Sequence, residues 1–141
     1  MDTSIETISQ ADYVALAKLR FALRRFLNFS ASAATEEGLP PQQHQALLAI
    51  KGFEGPSPMT TGILAERLLI VPHAATELVG RLIKGGYVER HTDPSDKRRQ
   101  ELCLTGKSEQ VLAKLSSIHL KEILEIGSAV KEILENLENR K

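Results

Sequence analysis

The hydrophobic period of this chain changes at one place, and that change limits the folds open to it. From about Ser9 to Gly86, apolar residues recur at spacings of three and four, the helical repeat. Then Tyr87–His91 and Gln100–Leu104 alternate apolar with polar residues, the strand repeat, before helical spacing returns at Gly106. Between the alternating segments lies Thr92–Arg99, a turn sequence followed by the basic cluster Lys97, Arg98 and Arg99. The pattern predicts one β-hairpin with a charged tip, set among helices. Aromatic residues are few and tryptophan is absent, so the core must be aliphatic, which favours packed helices over a large sheet.

The helical segments can be placed from their punctuation. The first runs from about Ser9 to Ala34, with Tyr13, Leu16, Leu19, Leu23, Phe26 and Leu27 on its apolar side and Lys18, Arg20, Arg24 and Arg25 on a basic one. Glu36, Glu37, Gly38 and the Pro40-Pro41 pair end it. A second helix covers Gln42 to about Lys51, with Pro41 suited to its first turn, and Gly52–Pro58 is a turn-rich break. Two short helices follow. Thr60 or Thr61 caps the first, which ends near Leu69; the second starts at Pro72, ends at Gly85-Gly86 and carries Ala75, Leu78, Val79 and Leu82 on one face. After the hairpin, Thr105 caps a helix from Gly106 to about Ser116, and a last helix is expected from about Ser117 to Leu137. His119, Ile123, Ile126, Val130, Ile133 and Leu137 form a narrow coiled-coil type of seam on it. Such a stripe must be buried somewhere. The reading preferred here is that both terminal helices pack against a second copy of the chain; the plainer one is that they pack only on each other.

Composition excludes several classes. Lys plus Arg and Asp plus Glu are each 18, so the chain has no net charge and is not a strongly cationic, non-specific nucleic-acid coat; a local basic site stays open. One cysteine, Cys103, rules out an intramolecular disulfide and a Cys-rich zinc site, and the four histidines are scattered, so no metal is expected. No apolar run reaches the length of a membrane span, and Met1–Gln10 has neither a basic nor an apolar region of a secretory signal, so a cytoplasmic location is expected. No nucleophile elbow, P-loop or dinucleotide fingerprint is present; the expectation is a protein that is not an enzyme and needs no cofactor.

Helix, turn, helix, then a hairpin with a basic tip is the order of a winged helix-turn-helix. The major groove of B-DNA admits one α-helix, and the second helix of the pair is the one presented to it. A basic hairpin beside it can reach the neighbouring minor groove, where an arginine meets enhanced negative potential. The fold class expected is therefore mainly α with a small β-hairpin wing, with residues 37–105 as the DNA-binding domain and residues 1–36 and 106–141 as dimerisation helices.

Across most of its length the sequence resembles the MarR family of bacterial transcriptional regulators. The resemblance is carried by Pro41-Gln42-Gln43-His44-Gln45-Ala46-Leu47-Leu48, Leu64-Ala65-Glu66-Arg67-Leu68, Leu78-Val79-Gly80-Arg81-Leu82 and Gly86-Tyr87-Val88-Glu89-Arg90. The wing Asp93-Pro94-Ser95-Asp96-Lys97-Arg98-Arg99 and the strand Leu102-Cys103-Leu104-Thr105 complete it. It implies a homodimer binding a pseudo-palindromic operator on double-stranded DNA, probing it with the second helix and the wing, as a repressor released by a small-molecule effector or by oxidation. By position, Arg98 matches the wing arginine that enters the minor groove, and Asp96 the acidic residue that braces the wing through an ion pair. Lys97 and Arg99 flank it. On the probing helix the candidates for DNA contact are Pro72, His73, Ala74, Thr76, Glu77 and Arg81. The resemblance places the effector pocket, for a small aromatic or anionic molecule, near Arg20, Arg24, His44 and Phe53. The bland alternative for these four is a structural histidine and a solvated basic face.

The chain departs from the family pattern in three places. Val71, Pro72 and Ala74 stand where relatives often carry Arg, His or Ser, which leaves few side chains able to make paired hydrogen bonds to a base. Val71 has no side-chain oxygen and is a poor cap. Ile63 replaces a Glu that would complete a capping box with Thr60, and is expected to be exposed. Thiol sensors of the family hold their cysteine in the first helix, where this chain has none, so a redox role for Cys103 is disfavoured. The competing function is a winged-helix dimer that acts as a protein-interaction module without reading DNA. Residues 59–105 carry seven Lys or Arg (Arg67, Arg81, Lys84, Arg90, Lys97, Arg98, Arg99) and six acids (Glu66, Glu77, Glu89, Asp93, Asp96, Glu101), a net +1. Affinity for DNA must therefore come from where the cations point.

Overall fold

Prolines open two of the helices. A proline at the first helical position loses nothing, because its missing N–H has no partner inside the helix. In the computed structural model, which describes residues 7–140, these are α2 (Pro41–Lys51) and α4 (Pro72–Lys84). The full order is α1 (Gln10–Glu36), α2, α3 (Thr61–Leu68), α4, β1 (Val88–Asp93), β2 (Asp96–Leu104) and α5 (Gly106–Glu138). Residues 1–6, part of the segment read as lacking a secretory signal, and residue 141 lie outside the described residues.

Other boundaries follow from side-chain caps. Ser9 and Asp12 satisfy each other's backbone N–H at the start of α1, and Thr60 Oγ1 accepts from the Ile63 N–H at the start of α3. Ser108 Oγ accepts from Thr105 N–H at 2.9 Å ahead of α5. At the end of α1, Gly38 adopts φ 76°, and Leu39 folds back to donate to Ala34 O. Leu69 does the same work after α3 at φ 56°, where a side chain is strained. Its side chain is 92% exposed, so it gains no packing in return. Leu69→Gly is expected to raise stability by about 1 kcal/mol, read from the denaturant midpoint; a loss would show that the strain is absent.

The structure corrects the sequence reading in three places. Gly106–Glu138 is one helix, not a pair meeting at Ser116-Ser117. Two serines lower helix propensity slightly but remove no ladder bond, and no proline interrupts the run. Lys97, Arg98 and Arg99 lie on strand β2, because the turn is confined to the residues between Asp93 and Asp96. Ile63 is half-buried and packs against the core rather than standing exposed.

Residues 31–117 form one compact unit. Its aliphatic core includes Ala46, Leu47, Leu64, Leu78, Val79, Leu82, Val88, Leu102 and Leu115. β1 and β2 pair antiparallel with Val88 opposite Leu104 and Arg90 opposite Leu102. The base of the hairpin is tied down by Leu102 N–H, which donates to Met59 O at 2.8 Å.

Residues 7–30 and 118–140 form the other unit, built from the first part of α1 and the second part of α5. His119 Nε2 lies 2.7 Å from Ser30 Oγ, with Phe26 and Phe29 edge-on to the imidazole. Arg140 Nε donates to Asp12 Oδ1 at 2.7 Å. Between these two links lies a groove of about 1150 Å³, lined in part by Val14, Phe21, Ile126, Ile133 and Leu137. Tyr13, Leu16, Leu23, Leu27, Leu120 and Leu124 are more than half or about half exposed.

Candidate nucleic-acid interface

The helical face of α4 that carries Ala75, Leu78, Val79 and Leu82 is buried, which fixes what the opposite face shows. Pro72, His73, Thr76, Glu77, Gly80, Arg81 and Lys84 are exposed, and Ala74 is half-buried. His73 Nε2 and Glu77 Oε1, one helical turn apart, meet at 3.2 Å. The Thr76 hydroxyl donates to Pro72 O at 3.1 Å. Arg81 and Lys84 make no ion pair among the described residues.

Val71 takes the cap position with extended backbone and supplies no side-chain bond. The first N–H groups of α4 are thus left for another acceptor, and a helix N-terminus suits an anion. Val71→Asp is expected to stabilise the free protein by about 1 kcal/mol while weakening duplex binding. Equal or tighter binding by that variant, compared by titration with labelled duplex, would show that no phosphate completes the cap.

On the hairpin, Asp93 Oδ1 accepts from both the N–H and the hydroxyl of Ser95, closing the turn. Those bonds, with Arg99 nearby, hold the Asp93 carboxyl below the usual carboxylate range. Asp96 Oδ1 accepts from the Arg98 backbone N–H at 3.0 Å and from its Nε at 3.3 Å. The Arg98 side chain is 93% exposed, so this pair aims the guanidinium more than it stabilises the fold. Lys97 and Arg99 are exposed beside it.

A cleft of about 690 Å³ joins these elements within the same unit. Thr60, Thr61 and Gly62 at the start of α3 line one side, Thr76 of α4 another, and Arg90, Asp96, Arg98, Arg99 and Gln100 of the hairpin the third. Of the residues singled out from sequence, the cleft gathers Thr76, Asp96, Arg98 and Arg99; Pro72, His73, Ala74, Glu77, Arg81 and Lys97 do not line it. Sequence reasoning missed Thr60, Thr61 and Arg90. A signal for Arg90 existed: two residues on from Val88, it shares that residue's strand face, and it stands opposite Leu102.

The four residues named for an effector fall on different units. Arg20 and Arg24 are exposed on α1; the groove between the two links is lined by Lys18 and Arg25. His44 is buried in α2, at 3% exposure, and Phe53 is half-buried with the Arg67 guanidinium 5.5 Å above its ring. Cys103 is half-buried, and burial, then Glu101 and Glu89, push its thiol up. A raised thiol holds less of the thiolate, which is the nucleophilic form.

Residues 37–99, from the turn before α2 to the basic strand of the hairpin, match the model of the MarR family. This module carries the MarR family pattern. Among curated sequences it is similar to the Bacillus subtilis HTH-type transcriptional regulator YkoM, 32% identical over 88 residues, which are 62% of this chain and 55% of YkoM. The chain thus spans little more than half the length of the curated relatives it matches, 55% and 57%. Among solved structures it is similar to the Thermotoga maritima transcriptional regulator Tm0710, with a TM-score of 0.61 and 28% identity, covering 85% of this chain and 86% of that one. The Staphylococcus aureus MepR–DNA complex shares the MarR fold with a TM-score of 0.69 at 16% identity, covering 94% of this chain and 93% of that one. The mainly helical architecture with a two-stranded wing is thus the MarR winged helix.

Proposed function

We propose that this protein is a sequence-specific regulator of transcription that binds double-stranded DNA as a homodimer, α4 probing the major groove and the wing the minor groove. The observation that carries this reading is the placement of an exposed, Asp96-oriented Arg98, with Arg90 and Arg99, on the same cleft as α3 and α4. The match of residues 37–99 to the MarR family model and the likeness to MepR, solved in complex with DNA, support it. The exposed apolar side chains of α1 and α5, with the groove between their terminal links, support a second copy as the partner of residues 7–30 and 118–140. Two winged modules related by a two-fold axis would then read a pseudo-palindromic operator. In this reading the protein is a repressor in the cytoplasm, and a small aromatic or anionic effector releases it.

An electrophoretic shift with the DNA upstream of the protein's own gene, run at two salt concentrations, tests this. A sequence-dependent complex that weakens at the higher salt is expected. The exposed apolar start of α4, with Val71 at 67% exposure, favours the second reading, a winged-helix dimer that binds another protein; that reading predicts no sequence-dependent shift at either salt concentration.

A further inference from the structure

We propose that the start of α4 reads thymine by its methyl group, so that the bound duplex carries thymines beneath Val71, Pro72 and Ala74. The inference rests on the binding of duplex DNA through α4.

Base reading in the major groove usually uses a forked side chain. Arginine or lysine holds guanine, and asparagine or glutamine holds adenine. Positions 71–77 contain none of these. The polar side chains that are present are already engaged. His73 meets Glu77 at 3.2 Å, and the Thr76 proton goes to Pro72 O at 3.1 Å. Breaking either contact to reach a base returns one hydrogen bond for one lost.

What the N-terminal turn offers without rearrangement is apolar surface. Val71 is 67% exposed, Pro72 is exposed and Ala74 is half-exposed. A helix of this kind presents its N-terminal residues to base edges. The C5-methyl of thymine is the apolar group that a base pair displays in the major groove. The chemistry of the two surfaces therefore matches. The same module carries cations that suit phosphates: Arg81 and Lys84 in the last turn of α4, and Arg90, Arg98 and Arg99 of the hairpin on a cleft that Thr76 of α4 also lines. A protein partner for the same apolar turn would have to accept these cations as well; duplex DNA does so along both strands.

The test uses the full chain. Bound duplexes are selected from a random pool and sequenced. They are then resynthesised with uracil in place of single thymines, a change that removes the methyl and keeps every hydrogen-bonding group. Thymine enrichment in each half-site is expected, with an affinity loss of about fourfold for each contacted thymine. Val71→Ala should shrink the thymine-to-uracil ratio at one position and leave the salt dependence unchanged. Equal affinity for uracil and thymine at every position of a selected sequence overturns the methyl reading while DNA binding stands. Failure to select any duplex overturns both.

Discussion

Replacing Arg98 by alanine is expected to weaken duplex binding by about tenfold or more at every sequence tested, and to leave the fold intact. The side chain is 93% exposed and, among the described residues, its ion pair is with Asp96 on the same strand, so removing it should change stability by less than about 0.5 kcal/mol. Binding is another matter. A guanidinium in a narrow minor groove meets a potential that water-exposed pairs do not, and a dimer loses two such groups at once. The slope of log affinity against log salt should fall by about two. Titration of labelled duplex at several salt concentrations measures both quantities. Unchanged affinity would show that the wing does not reach DNA. Asp96→Asn separates aim from charge: it loses the carboxylate that receives both Arg98 bonds, and should weaken binding although it makes the module more positive.

The largest loss of stability is expected from Leu78→Ala. Leu78 is 1% exposed, sits midway along α4 and packs in the core of residues 31–117. Truncation removes three buried carbons and leaves a cavity that the surrounding helices can close only in part, at a cost of about 3 kcal/mol. For a chain of this size the melting temperature should drop by roughly 10 °C. DNA binding at low temperature should survive, because the exposed face of α4 is untouched. Scanning calorimetry of the variant checks this, and a shift of less than 3 °C would mean that the position is not packed as described.

Local rules made much of this fold legible. Pro41 and Pro72 marked helix starts because only a first-turn position tolerates them, and Gly38 and Gly86 marked ends because φ is 76° and 77° there. The change of period at Tyr87 located the hairpin. What failed was whatever depended on neighbours distant in sequence. Ser116-Ser117 looked like a boundary, yet Leu112 and Leu115 just before it are held in the core of their unit and the helix runs on. Ile63 looked exposed when judged only by the glutamate it replaces. Its burial comes from a core assembled from several elements. Arg98 and Asp96 could be named because the wing sequence resembles that of the MarR family, and their contact proves local, two residues apart. Thr60 and Thr61 could not, because the cleft that gathers them with Arg90 exists only once Met59 has bonded to Leu102 and set the hairpin beside α3.

The central claim is that two copies of this chain place two winged modules on one duplex. Sedimentation of the full-length protein, alone and with a selected duplex, measures it. The account predicts a two-chain species that takes up a single duplex and moves with it. A stable one-chain species that sediments apart from the DNA would contradict it.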